Sequence, residues 1–245
     1  CVVCAGGYVS FYFGMAAALQ RKPLYLLEQN VIPGRVTRLL APLAKRVFVS
    51  FPESLSRFAP KKAVCTGNPV RSSLMGITPS GKSLTVLGGS LGSRRLNEAM
   101  IRLEKSGFLK RLGYPVLWIT GERDYKMVSS VLKERPGMHI FPYCHHMEEI
   151  FKETALAVSR AGATALAELE ALGIPGILVP YPFAKDDHQR ANALAMVKRG
   201  GYIMVEEGDG FDRRLEEALL KIETGNKERS GGQKSAAERI AEAIL

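Results

Sequence analysis

Short runs of Val, Ile and Leu recur along the chain at 24–27, 47–50, 63–66, 84–87, 116–120, 155–159, 177–180 and 202–205. Each is apolar at nearly every position, the pattern of a strand buried on both faces. Between them, helical patterns run over 14–20, 97–112, 147–152, 164–172 and 189–199. This alternation predicts an α/β protein with parallel sheets. The chain opens on Cys1-Val2-Val3-Cys4, apolar and without a charged lead-in, and reads as a strand already under way.

Periodicity breaks over 67–82, where Asn68-Pro69, Pro79, Gly76 and Gly81 precede a new strand. The break predicts two units, a basic one at 1–78 and a more neutral one at 79–225. The first holds too few strands for a free-standing doubly wound domain and is expected to be half of one. From Asn226 a polar Gly/Ser/Lys stretch leads into a terminal helix, which closes a tail over 226–245.

Charge sharpens the division. Ten of the 34 Lys and Arg but only two of the 24 Asp and Glu lie in residues 1–80, so that segment carries +8 of the net +10. Such an excess calls for an anionic partner: nucleic acid, lipid headgroups or a phosphorylated substrate. The basic residues lack the interleaved aromatics of single-strand binders, so nucleic acid is not expected. Four cysteines at 1, 4, 65 and 144 are too scattered for a disulfide framework and suggest a reducing compartment. No apolar run approaches the roughly 18–20 residues that cross a bilayer.

Three strand–turn–helix segments carry candidate chemistry. In Thr85 to Ser93, Gly88, Gly89 and Gly92 let backbone N–H groups approach a ligand, and the following helix offers its positive end to a phosphate; a purely structural turn is the alternative. In Val158 to Glu168 a helix from Ala163 exposes N–H groups while Glu168 is placed to accept from ribose hydroxyls, or stands as a solvated carboxylate on a capped helix. Val179 to Ala193 carries Lys185, Asp186, Asp187, His188, Gln189 and Asn192, side chains suited to sugar hydroxyls. In the basic unit, Glu28-Gln29-Asn30 and Gly67-Asn68-Pro69-Val70-Arg71 each follow a strand, where ligands sit in open α/β sheets, and Arg71 suits a phosphate or a plain domain junction. Neither Asp186-Asp187-His188 nor Cys144-His145-His146 has the further ligands of a metal site, so no metal or cofactor is expected.

Taken together, Gly6-Gly7-Tyr8-Val9-Ser10, Glu28-Gln29-Asn30 with Pro33-Gly34, Gly67 to Arg71, Gly88-Gly89-Ser90-Leu91-Gly92, Ser159 to Ala163, and His188-Gln189 with Asn192-Ala193 resemble, in order and spacing, the MurG family. These are the bacterial enzymes that move N-acetylglucosamine from UDP-GlcNAc to undecaprenyl-diphosphoryl-MurNAc-pentapeptide. The resemblance implies a GT-B fold of two doubly wound parallel-sheet domains, the first incomplete here, with the donor on the second and the lipid acceptor on the first. It implies donor-binding roles for Asn30, Arg71, Ser90, Cys144, Ala163, Thr164, Ala165, Leu166, Ala167, Glu168, Gln189 and Asn192. Glu168 would take the ribose, Ser90 and the Ala163 turn the diphosphate, the Cys144 backbone the uracil, and Gln189 with Asn192 the sugar. It further implies inverting transfer without an obligatory metal, and peripheral attachment to the anionic cytoplasmic face of the bacterial plasma membrane.

Two departures from the family pattern stand out. Thr164 precedes the position where the family carries its threonine, here Ala165, and the family's Gly-Gly-Thr-Gly-Gly-His first loop is absent, so the chain reads as a transferase lacking its first segment. Glu28, at a strand end in the acceptor half, is the candidate base; its other reading is to orient the Asn30 loop. The rival functions are a transferase using another lipid acceptor, such as diacylglycerol, and a non-catalytic UDP-sugar-binding subunit that needs a partner chain.

Overall fold

The computed structural model describes residues 1–89, 92–133, 135–223 and 234–245. Its first half forms β1 (Val2–Cys4), α1 (Gly7–Leu19), β2 (Leu24–Glu28), α2 (Arg35–Leu40), β3 (Arg46–Val49) and β4 (Ala63–Cys65). These strands make one parallel sheet in the order β1-β2-β3-β4. From Ser83 a second set follows: β5 (Ser83–Leu87), α3 (Arg94–Lys105), α4 (Phe108–Leu112), β6 (Val116–Ile119), α5 (Glu122–Val131), β7 (Met138–Phe141), α6 (Met147–Glu153), β8 (Thr154–Ser159), α7 (Ala163–Leu172), β9 (Gly176–Leu178), α8 (His188–Lys198), β10 (Tyr202–Met204) and α9 (Phe211–Lys221). Its six strands are parallel in the order β10-β9-β8-β5-β6-β7. The last helix, α10 (Ala236–Ile244), returns to the first sheet, where Ile240 packs with Tyr25 and Phe48.

Alternation within each strand explains the layers. Leu84, Val86, Val116, Trp118, Leu156 and Val158 bury on one face of the second sheet; Leu87, Leu117, Ile119, Ala157 and Leu178 bury on the other. Each fully buried large apolar side chain contributes roughly 1.5–3 kcal/mol. On the first sheet α1 crosses α2 so closely that a Cβ on Gly14 would lie 2.5 Å from the Leu40 side chain.

The structure corrects several boundaries read from the pattern. The helix expected over 97–112 is two helices, because Gly107 takes a left-handed φ of 74° and turns the chain between α3 and α4. The helix expected from residue 14 begins at Gly7, after Gly6 at φ 87°, since bulky Tyr8, Phe11, Tyr12 and Phe13 hide its period. Strand β7 and helices α2, α5 and α9 are additions: β7 is short and interrupted by exposed His139, α2 is only six residues long, α5 buries Asp124 beside Val128, and α9 buries Phe211, Leu215, Ala218 and Leu219 on one face. Residues 226–233 of the polar stretch lie outside the described residues.

Candidate functional site

Strand order in the second sheet reverses at β5 and β8: the chain steps outward from β5 through β6 and β7, then crosses back to β8 and outward again through β9 and β10. The loops after β5 and β8 therefore diverge and leave a crevice at the carboxyl ends of these strands, the place where open α/β sheets bind ligands.

The β5 loop is shaped for close approach. A Cβ on Gly88 would stand 2.8 Å from the Thr120 carbonyl oxygen, and one on Gly92 2.8 Å from Asp124 Oδ2, so only glycine fits at either point. Gly89 and Gly92 take φ of 81° and 85°, and the Gly92 N–H donates to the Gly89 carbonyl at 3.0 Å. Beneath them lies a buried network absent from the sequence reading. Asn97 Nδ2 donates to Thr120 O and Asp124 Oδ2, both at 3.0 Å, and Trp118 Nε1 donates to Asn97 Oδ1 at 2.9 Å. Ser90 and Leu91 lie outside the described residues.

After β8, Gly162 enters α7 in extended geometry (φ −72°, ψ 138°), with no side chain capping the helix start. Thr164 is exposed and Ala165 half-buried at this first turn, so the small residues leave backbone N–H groups open to an anion. Leu166, by contrast, has its side chain in the core and its N–H on the Gly162 carbonyl. Ala163 is buried and Ala167 half-buried. Glu168 is 4% exposed, and its Oε1 receives both Nε and Nη2 of Arg71 at 2.8 Å. Asn68 Nδ2 also reaches the Ala163 carbonyl at 3.5 Å. The loop after β4 thus docks on the start of α7.

The loop after β2 docks beside it. Glu28 is buried, with Oε1 accepting the Asn30 N–H at 3.0 Å and Oε2 the Gly34 N–H at 2.9 Å. That is the geometry of a carboxylate that shapes a loop. Asn192, fully buried on α8, donates from Nδ2 to Asn30 Oδ1 at 3.0 Å and Ala161 O at 3.3 Å, and accepts the Val31 N–H at 2.9 Å. Its carboxamide therefore faces the first sheet. Gln189 accepts the Tyr181 N–H at 2.9 Å through Oε1, leaving its amide N–H groups for another acceptor. Arg160 fixes the loop after β9 through Val179 O and Pro180 O, with Glu207 as its counter-ion at 2.5 Å.

Between the two sheets lies a cavity of about 320 Å³, lined by Gly6, Gly7, Glu28, Asn30, Gly34 and His188, among others. His188 Nδ1 lies 2.7 Å from the Lys185 carbonyl. Asp186 and Asp187 hold left-handed φ of 54° and 52°, and Arg38 spans the cleft to Asp186 at 3.7 Å. Cys144, half-buried, packs against the second sheet's core. Next to its loop Glu148 is held below the usual carboxylate range by its own backbone N–H and by His146, with Arg71 adding a smaller pull. Among the described residues no group of three or more His, Cys, Asp or Glu is placed to hold a metal ion.

Comparison with known proteins agrees with this layout. Residues 83–244 match the glycosyltransferase family 28 C-terminal domain and residues 1–49 the N-terminal domain of the same family. The chain is 39% identical over 236 residues to the UDP-N-acetylglucosamine--N-acetylmuramyl-(pentapeptide) pyrophosphoryl-undecaprenol N-acetylglucosamine transferase of Desulfotalea psychrophila, covering 93% of this chain and 64% of that protein. It is 37% identical over 242 residues to the transferase of the same name from Halothermothrix orenii, covering 90% of this chain and 65% of that one. The chain therefore spans slightly under two thirds of both relatives. The crystal structure of Acinetobacter baumannii MurG superposes with a TM-score of 0.75 at 26% identity, covering 99% of this chain and 73% of that one.

Proposed function

From the chain's membership of glycosyltransferase family 28, in its MurG branch and with the GT-B fold, we propose that the natural protein transfers N-acetylglucosamine from UDP-GlcNAc to the muramoyl 4-hydroxyl of undecaprenyl-diphosphoryl-MurNAc-pentapeptide. The observation that carries this reading is Glu168, a buried carboxylate at the switch point whose partner is a half-exposed arginine from the opposite sheet. A ribose can take over that carboxylate with its two hydroxyls, which frees the Arg71 guanidinium for the diphosphate.

The donor lies across the crevice in this reading. The open N–H groups at the start of α7 and the described glycines of the loop after β5 face the diphosphate. The Cys144 backbone meets the uracil, and the free amide of Gln189 meets the sugar. Asn30 lines the cleft, and Asn192, buried behind it, holds the two walls in register. The acceptor hydroxyl attacks the anomeric carbon from the side of the first sheet and gives up its proton to solvent; the bond to the diphosphate oxygen breaks, and UDP leaves with its charge stabilised by fixed N–H dipoles and Arg71. Both oxygens of Glu28 are committed to backbone N–H groups, so its part is to fix the loop that bears Asn30, rather than to take the acceptor's proton.

Residues 1–78 form the acceptor side and 79–225 the donor side. No helix among the described residues is long and apolar enough to cross a membrane. Attachment to the anionic cytoplasmic face is instead assigned to the foot of the first sheet, where Arg21, Lys22 and Lys45 ring a groove of about 470 Å³ beside exposed Leu19 and Leu43.

The test is a transfer assay on the natural full-length protein with UDP-GlcNAc and either the muramoyl lipid or diacylglycerol. Turnover confined to the muramoyl lipid supports the reading. Turnover on diacylglycerol moves the protein to another acceptor class, and donor binding without turnover unless another chain is added makes it a binding subunit.

A further inference from the structure

We infer that Arg239, on the last helix, is a positioning residue for donor binding: it holds the turn at Thr66 and Gly67 from which the chain carries Arg71 to Glu168. The inference deepens the donor-site reading above and rests on it.

Helix α10 is anchored at several points. A capping box starts it, with the Ser235 N–H on Glu238 Oε2 at 2.7 Å and the Glu238 N–H on Ser235 Oγ at 3.2 Å. Ile240 then seats against Tyr25 and Phe48, and the Tyr25 hydroxyl reaches the Ile244 carbonyl at 3.4 Å. On this fixed helix Arg239 Nη2 donates to the Thr66 carbonyl at 2.6 Å. Thr66 is itself buried, its N–H on the Val49 carbonyl at 3.0 Å and its hydroxyl on the Gly67 carbonyl at 3.2 Å. Gly67 has φ 78°, and a Cβ there would lie 3.3 Å from Arg239 Nη2 and 3.6 Å from Ala236 Cβ. The turn is thus moulded against α10 before Asn68 and Arg71 meet α7.

Packing alone does not explain an arginine here. Its Nε is buried without a hydrogen-bond partner, and among the described residues no carboxylate pairs with it. A half-buried guanidinium whose Nε–H is out of solvent and unsatisfied opposes folding, and an apolar side chain would avoid that penalty. What only the arginine supplies is a long planar donor that reaches the Thr66 carbonyl. The far end of the chain thereby sets the reach of a residue that faces the donor.

The test uses the natural full-length protein with Arg239→Leu, Arg239→Lys, Arg71→Met and the doubly substituted Arg239→Leu/Arg71→Met. Calorimetric titration with UDP is expected to show about tenfold weaker binding for Arg239→Leu, the value of one charge-assisted hydrogen bond, with part restored by Arg239→Lys. In the Arg71→Met background the Leu substitution is expected to add less than about twofold, because both act through one contact. A merely structural role would give the same loss in both backgrounds, and that result overturns the inference. In the donor-free protein, amide exchange at Thr66, whose N–H is held on the Val49 carbonyl, should quicken in Arg239→Leu and in Arg239→Lys; unchanged exchange in both also overturns it. Absence of UDP binding to the unsubstituted protein would overturn the donor-site reading instead, while the exchange data still decide whether Arg239 holds the turn.

Discussion

Two of the bridges between the sheets lie side by side, and they are built from opposite materials. Asn192 meets Asn30 and Val31 through neutral groups, wholly out of solvent, with its carboxamide engaged on both sides. Arg71 meets Glu168 through full charges, with 46% of the arginine side chain exposed against 5% of the glutamate's. A satisfied buried amide is expensive to break, because every partner left behind loses a hydrogen bond away from water. An ion pair with a half-exposed member is worth little on its own, and its buried member accepts a substitute donor readily. The first bridge thus fixes the register of the two sheets. The second is a contact that can be exchanged, at the point where the proposed donor would enter.

Breaking the amide bridge should have the largest effect. Asn192→Ala orphans the Val31 N–H, Asn30 Oδ1 and the Ala161 carbonyl, and urea titration is expected to show a loss of about 3 kcal/mol in stability. Glu168→Gln leaves the fold in place and is expected to weaken UDP-GlcNAc by about thirtyfold, roughly 2 kcal/mol, since a neutral amide accepts ribose hydroxyls less strongly. Arg71→Met sharpens the contrast through its ligand dependence: about tenfold weaker UDP, but uridine, which has no phosphate, bound within about twofold of the unsubstituted protein. Smallest of all, raising salt from 0.05 to 0.5 M should shift the urea midpoint of the unsubstituted protein only slightly more than that of Arg71→Met, because the half-exposed pair is worth at most about 1 kcal/mol.

The sequence disclosed these parts unevenly. Runs such as 84–87 and 155–159 are apolar because both faces are covered, so their strand character is local and visible. The place of Glu168 near the start of α7 was legible for a similar reason: a turn of small residues followed by a carboxylate lies within one continuous segment. Its partnership with Arg71 was not, because 97 positions separate the two and sheet topology alone brings them together. Asn192 carries the same lesson. Beside Gln189 on a polar loop it looked like a sugar ligand, yet one helical turn into α8 its side chain points at the other sheet. The Asn97, Trp118 and Asp124 network left no sequence signal, since each residue is unremarkable until β5 and β6 pair and set α3 over α5.

In the proposed binding mode Glu168 exchanges Arg71 for the donor's ribose. Titration of Glu168→Gln with uridine and with UDP tests it most directly, in parallel with the unsubstituted protein and with folding checked by urea. Both ligands are expected to weaken by a similar factor of about thirty, because the ribose is common to both. Equal affinity of Glu168→Gln and the unsubstituted protein for uridine would contradict it.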